Sequence, residues 1–61
     1  MPFKPDANAQ TILEECVDAT NFSDSFIRSK MYEVLARRNC QTDSLTEAQI
    51  VQVVNWVQTQ Q

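Results

Sequence analysis

The chain has 61 residues, a formal net charge of −3 and an apolar fraction of 43%, which is ordinary for a globular protein. This length allows one domain, residues 1–61, and a chain this short buries only about 60% of its unfolded surface, so its stability is marginal. With no histidine, no glycine and two cysteines, the sequence excludes a zinc site built from nitrogen and sulfur ligands, a glycine-rich phosphate loop and a histidine-based catalytic centre.

The first helix is predicted over residues 6–19. Residues 1–4 before it are expected to form a loose arm, in which only Phe3 is anchored. Pro5 and Asp6 mark the start, because proline fits the first turn and aspartate either caps the helix or complements its dipole. Apolar residues then recur at intervals of three and four, which predicts one apolar stripe. The stripe consists of Ala9, Ile12, Leu13, Cys16 and Val17.

A second helix is predicted over residues 24–38. Because the chain lacks glycine, Asn21 is expected to take the left-handed conformation that ends the first helix. Ser23 can cap the second helix, and Phe22 can pack on Ile27 as a hydrophobic staple. The apolar positions of this helix are Phe26, Ile27, Met31, Val34 and Leu35.

The third element, residues 45–57, has the most complete start signal in the chain. Asn39, in the polar turn before it, is expected to adopt a left-handed conformation. Thr46 and Gln49 form a capping box, and Leu45 and Ile50 are placed to close as a staple. Its valines favour a strand, but the capping box and the three–four spacing favour a helix. Residues 58–61 are expected to fray.

The predicted fold is therefore all-α, a small three-helix bundle that pairing with a second copy could complete. The loops of four to seven residues match ordinary helix–helix connections. The predicted core comprises Ile12, Leu13, Val17, Ile27, Met31, Leu35, Ile50, Val53, Val54 and Val57.

Opposite charges are segregated along the sequence. The second helix carries four of the five bases, which are Arg28, Lys30, Arg37 and Arg38. The first helix carries an acidic cluster of Glu14, Glu15 and Asp18. Each group is either a solvated face, neutralised by the other within one fold, or a surface for a partner of opposite charge. Within the second helix, Glu33 and Arg37 are four residues apart and are predicted to form an ion pair.

Trp56 and Val53 are the apolar candidates for partner binding. Trp56 lies towards the Val53 edge of the third apolar stripe, where it either caps the core or leads an interface between two copies. No nucleophile–base pair, cofactor motif or metal-ligand spacing is present, which argues against an enzyme, a cofactor and a metal. Cys16 falls on an apolar stripe and is expected in the core, whereas Cys40 is expected on the surface.

The sequence also bears on location and on nucleic acids. The start, MPFKPD, lacks the apolar segment of a signal peptide, and no apolar run is long enough to span a membrane, so a cytoplasmic protein is expected. The acidic net charge and a third helix without arginine or lysine argue against nucleic-acid binding.

Parts of the chain resemble the protochlorophyllide-reductase-type (PCP reductase) domain. The similar residues are Phe3, Pro5, Asp6 and Ala7; Ile27 and Arg28; Glu33, Ala36 and Arg37; and Leu45 and Thr46. The segment between the first helix and Ile27 is longer here and lacks the family's Pro-Phe-Phe. The resemblance implies a small helical accessory domain of a tetrapyrrole-handling enzyme.

Together these features predict a non-enzymatic protein-interaction module, such as an adaptor, an inhibitor or an assembly factor. It would bind a protein partner through an apolar helix face flanked by charge. Two alternatives remain open: the accessory domain implied by the resemblance, and a nucleic-acid-binding regulator. Pairing of two copies is a separate prediction, which follows from the small size of the chain.

Overall fold

Three α-helices connected by short loops make up the molecule. The computed structural model describes residues 3–61, apart from the side chain of Thr42. Helix α1 spans Ala7–Ala19, α2 spans Asp24–Arg37 and α3 spans Glu47–Thr59, with a single turn of 3-10 helix at Thr42–Ser44 before α3. The described residues contain no strand. The predicted all-α three-helix bundle is thus confirmed.

Side-chain caps start α1 and α2. The Asp6 carboxylate accepts a hydrogen bond from the backbone N–H of Ala9 at 2.8 Å, so Asp6 is a true N-cap. The Ser23 hydroxyl accepts from the N–H of Phe26 at 3.3 Å. Each bond gives a partner to one of the N–H groups that the first turn of a helix leaves free.

The predicted capping box starts α3. The backbone N–H of Gln49 donates to the Thr46 hydroxyl at 3.2 Å, and the Thr46 N–H donates to the Gln49 side chain at 2.9 Å. Leu45, just before the cap, packs against the core that contains Ile50. The start of α3 therefore has a complete capping signal of its own in the local sequence.

The end of α1 differs from the prediction. Thr20, rather than Asn21, takes the left-handed conformation, with φ of 52°. The Asn21 side chain instead accepts a hydrogen bond from the N–H of Ser23 at 3.1 Å. Because an asparagine side chain competes well for such local bonds, Asn21 organises the turn that leads to Ser23. A β-branched residue with positive φ is strained, so the threonine bears that strain.

The chain after α2 adopts the predicted left-handed conformation at Asn39. Asn39 has a φ of 58°, and the N–H of Cys40 donates to the carbonyl of Leu35 at 2.9 Å. The helix itself ends at Arg37, and Arg38 is its cap. Asparagine thus supplies the left-handed residue that glycine more often provides.

The core is built from one narrow stripe on each helix. Its buried residues are Ala9, Ile12, Cys16, Ile27, Met31, Val34, Leu35, Ile50, Val54 and Val57. The predicted core was wrong at Val17, which is 50% exposed, and at Leu13 and Val53, which are half-buried. At about 100° per residue, Val17 lies roughly a quarter-turn or more from the centre of the buried stripe of α1.

The C-terminal end is more ordered than predicted. Helix α3 continues through Thr59, so residues 58 and 59 are helical rather than part of a frayed tail. The side chain of Gln58 donates to the carbonyl of Phe22 at 3.1 Å. That bond ties the last turn of α3 to the loop between α1 and α2. At the other terminus, Met1 and Pro2 of the predicted arm lie outside the described residues, and Phe3 is half-buried.

Within residues 3–61, none of the helices has the length and hydropathy needed to cross a bilayer.

Replacing Thr46 with alanine removes one half of the capping box. We expect Thr46→Ala to lower the free energy of unfolding by about 1 kcal/mol. In a domain of this size, that corresponds to a fall in Tm of about 4–8 °C. Urea and thermal unfolding followed by circular dichroism measure both quantities.

The control is Thr59→Ala at the other end of the same helix. The Thr59 hydroxyl donates only to the carbonyl of Trp56 in the last turn, so its loss should change the unfolding free energy by less than about 0.5 kcal/mol. Equal effects of the two substitutions would contradict the role given to the capping box.

Candidate functional site

A groove opens at the surface between the N-terminal arm, including the N-cap Asp6, and the first half of α3. Its volume is about 190 Å³. Met31 of α2 contributes to its lining, together with Leu45 and Val53 from the α3 side and Phe3 from the N-terminal arm. Lys4 and Gln52 are among the polar residues at the groove. The groove is thus mixed in character, with apolar side chains beside groups that can form hydrogen bonds.

A smaller cavity of about 70 Å³ extends the groove into the bundle. It shares Met31, Leu45 and Val53 with the groove and reaches Ala9 and Ile12 of α1. Ala9 and Val53 have short side chains, and both line this smaller cavity where α1 faces α3.

The rim of the groove carries an aromatic pair. The rings of Phe3 and Trp56 have centroids 6.1 Å apart and planes inclined by 57°, within the range of favourable aromatic contacts. Trp56 also packs against the core and is half-buried. Within a single chain, Trp56 therefore caps the edge of the core, and its role in an interface between two copies stays a prediction.

The basic residues of α2 are paired within the chain. Arg28 donates to Asp24 at 2.6 Å and to Glu47 of α3 at 2.8 Å. The hydrogen bond from Arg28 lowers the pKa of Glu47, and the bonds to Glu47 and Asp24 raise the pKa of Arg28. Arg28 therefore joins α2 to the first turn of α3 at the surface.

Three other basic side chains also contact groups of the same chain, those of Lys30, Arg37 and Arg38. The Lys30 ammonium lies 3.1 Å from Glu33 and 5.4 Å from the centroid of the Phe26 ring. The predicted pair of Glu33 with Arg37 is wrong, because Glu33 bonds Lys30 instead.

Arg37 reaches across to Glu15 of α1 at 2.6 Å, and Arg38 donates to the hydroxyl of Thr11 at 2.9 Å. These contacts join the last turn of α2 to α1. The second oxygen of Glu15 is buried without a hydrogen-bond partner among the described residues. A pair bonded through one oxygen and half exposed on the arginine side contributes little to stability.

The acidic cluster of α1 is divided. Glu15 turns towards α2 to meet Arg37, whereas Glu14 and Asp18 are exposed and form no ion pair within residues 3–61. Over the same residues, no group of three or more potential metal ligands is found. Of the predicted partner-binding residues, only Val53 lines the groove, and Trp56 borders it through its contact with Phe3.

The sequence predicts other roles for three of the groove residues, Met31, Leu45 and Phe3. Met31 was predicted to be buried in the core, Leu45 to be a staple and Phe3 to be an anchor of a loose arm. The small size of Ala9 and Val53 could have revealed the smaller cavity once the facing of α1 and α3 is known, but the groove also depends on the position of the N-terminal arm.

The two cysteines occupy different environments. Cys16 is fully buried, and burial raises the pKa of its thiol, with a further rise from Glu15 and an opposing effect of Lys30. Cys40 is exposed, and its sulfur lies 4.0 Å from the side-chain nitrogen of Asn8. Cys16 is thus a core residue, as predicted.

Comparisons with protein-family models, with curated proteins and with solved structures gave no match to this chain.

The Glu47–Arg28 pair predicts a pH-dependent effect of Glu47→Gln. Because the pKa of Glu47 is lower in the folded chain than in the unfolded chain, the pair stabilises the fold above the unfolded pKa of glutamate, about 4.3. That contribution is lost as the pH falls through the lowered pKa. The urea midpoint of Glu47→Gln should therefore lie below that of the natural chain at pH 7, and the difference should be smaller at pH 3.

Glu14→Gln is the matched control, since Glu14 is exposed and forms no ion pair among the described residues. Its midpoint should follow that of the natural chain at both pH values. An equal deficit of Glu47→Gln at pH 7 and pH 3 would show that the effect does not come from the charge.

The burial of Cys16 predicts two rates of thiol modification. A thiol reagent such as dithionitrobenzoate should modify Cys40 quickly and Cys16 only as fast as the bundle opens. Cys40→Ser should remove the fast phase, and urea should then expose the remaining thiol. Rapid modification of both thiols in the folded chain would contradict the position of Cys16 in the core.

Proposed function

We propose that this chain is a non-enzymatic protein-interaction module, of the kind that acts as an adaptor, an inhibitor or an assembly factor. It binds its partner in the groove between the N-terminal arm and α3. The partner presents one large apolar side chain, flanked by lysine or arginine. The observation that carries the proposal is the groove itself, because the half-buried Leu45 and Val53 line it together with the buried Met31, near the half-buried Trp56.

The size of the groove supports a peptide side chain as its occupant. Pockets for small molecules and cofactors typically have volumes of about 300–1,000 Å³. The groove, at about 190 Å³, is below that range and suits one anchor residue of a protein segment. A tetrapyrrole, as the resemblance to the PCP reductase domain would imply, needs a larger cavity.

The distribution of charge supports a basic partner. Arg28, Lys30 and Arg37 are engaged with acids of the same chain. The net charge of −3 is therefore not offset by a free basic patch on α2. Complementary charge speeds association and helps to select the partner, so the net charge favours a basic partner, while the groove itself is lined by one base and one acid, Lys4 and Asp6. The same distribution is poorly suited to phosphate binding.

A peptide selection tests the proposal. The full chain is immobilised, and peptides are selected from a random displayed library without bias in composition. We expect the selected peptides to share a large apolar residue next to lysine or arginine. One selected peptide is then labelled, and its affinity is measured by fluorescence anisotropy.

Val53 and Val51 provide matched variants on the same helix. Val53 lines the groove, whereas Val51 is 37% exposed on another face of α3. Val53→Thr places a hydroxyl against the apolar anchor, which costs about 1 kcal/mol, or roughly a fivefold loss of affinity. Val51→Thr should leave the affinity unchanged.

Two outcomes would contradict this assignment. Equal effects of the two substitutions would mean that the peptide binds elsewhere. Light scattering that shows a dimer at tens of micromolar, dissociated by Val53→Thr and not by Val51→Thr, would replace the partner with a second copy of the chain.

A further inference from the structure

The N-terminal arm lies beside the groove and takes part in its lining. Phe3 and Lys4 belong to the groove, and the ring of Phe3 rests against Trp56. Asp6, the N-cap of α1, lines both the groove and its inner extension. The arm therefore connects the start of α1 to the Trp56 side of α3, at the open end of the groove.

The attachment of the arm depends on apolar contacts. Within the described residues, no hydrogen bond or ion pair joins residues 3–5 to the helices. Pro5 has no N–H to donate, and Lys4 is exposed. What remains is the contact of Phe3 with Trp56 and the groove, with the partial burial of Pro5, and so small a set of apolar contacts is easily broken and remade.

We propose that residues 3–5 form a displaceable strap that occupies the open end of the groove. In the closed state, Phe3 rests on Trp56 and takes part in lining the groove. The groove that stays open beside Phe3 has a volume of about 190 Å³, so a larger apolar ligand enters fully only after Phe3 leaves. The strap thus competes with the ligand for the groove. Only molecules with an open strap bind the ligand fully, so the apparent affinity is the intrinsic affinity multiplied by the fraction of open molecules. This inference rests on the proposed function, since it concerns the same groove.

A strap and a wall give opposite results when Phe3 is removed. If Phe3 is a strap, Phe3→Ala opens the groove and strengthens ligand binding. If Phe3 is a fixed wall of the site, Phe3→Ala removes part of the contact surface and weakens binding. The sign of the change in affinity therefore decides between them.

The experiment uses the full chain and an uncharged apolar dye, N-phenyl-1-naphthylamine, whose fluorescence rises in apolar surroundings. We expect Phe3→Ala to bind the dye about fivefold to tenfold more tightly than the natural chain. Adding Val53→Thr to Phe3→Ala should reverse the gain, which locates the dye in the groove. Unchanged or weaker binding by Phe3→Ala overturns the proposal.

Trp56 provides a second readout, because it is the only tryptophan of the chain. Loss of Phe3 should increase the quenching of Trp56 fluorescence by acrylamide, while the helical circular dichroism stays the same. Phe26→Ala is the matched control, since its ring contacts Lys30 rather than Trp56, and it should leave the quenching of the folded chain unchanged. Equal quenching in Phe3→Ala and the natural chain also overturns the proposal.

The strap and the proposed function can fail separately. Tighter dye binding by Phe3→Ala, with no peptide selected by either chain, supports the strap and contradicts the proposed partner. Selection of anchored basic peptides whose affinity is the same for Phe3→Ala and the natural chain supports the function and overturns the strap.

Discussion

The burial of the apolar stripe of α3 against α1 and α2 is the interaction on which this fold depends. Ile50, Val54 and Val57 are 0–4% exposed. Fully burying a valine or isoleucine side chain contributes about 1.5–3 kcal/mol. Three such residues contribute roughly 5–9 kcal/mol as an upper estimate, which is comparable with the whole stability of a small domain. Both cysteines are free thiols, so no disulfide of this chain supplements that term.

The narrowness of this stripe also produces the groove. Val53 lies about 60–70° around α3 from the centre of the buried residues, and Trp56 lies further round on the same side. Neither can be fully covered when Ile50 and Val54 face the core. On α1, the side chain of Ala9 is too short to fill the smaller cavity that it lines together with Val53. The residues that stabilise α3 and the residues proposed to bind a partner are therefore neighbours on one helix, with different degrees of burial.

Most helix caps and the three-helix architecture could be predicted from the sequence, whereas the left-handed residue after α1 and the contacts between helices could not. The caps at Ser23 and Thr46 and the left-handed Asn39 depend on a few neighbouring residues, so their signals are complete in the sequence. The partner of Arg37 and the exposure of Val17 depend on how α1 and α2 meet, which local spacing does not encode. The groove belongs to the second kind, because it requires the position of the N-terminal arm beside α3.

Native-state hydrogen exchange tests the central claim most directly. If docking of α3 holds the bundle together, the amides of residues 50–57 exchange as slowly as those of residues 27–35, with opening free energies close to that of global unfolding. Exchange of residues 50–57 nearly as fast as in an unfolded peptide, while α1 and α2 remained protected, would contradict the claim that docking of α3 holds the bundle together.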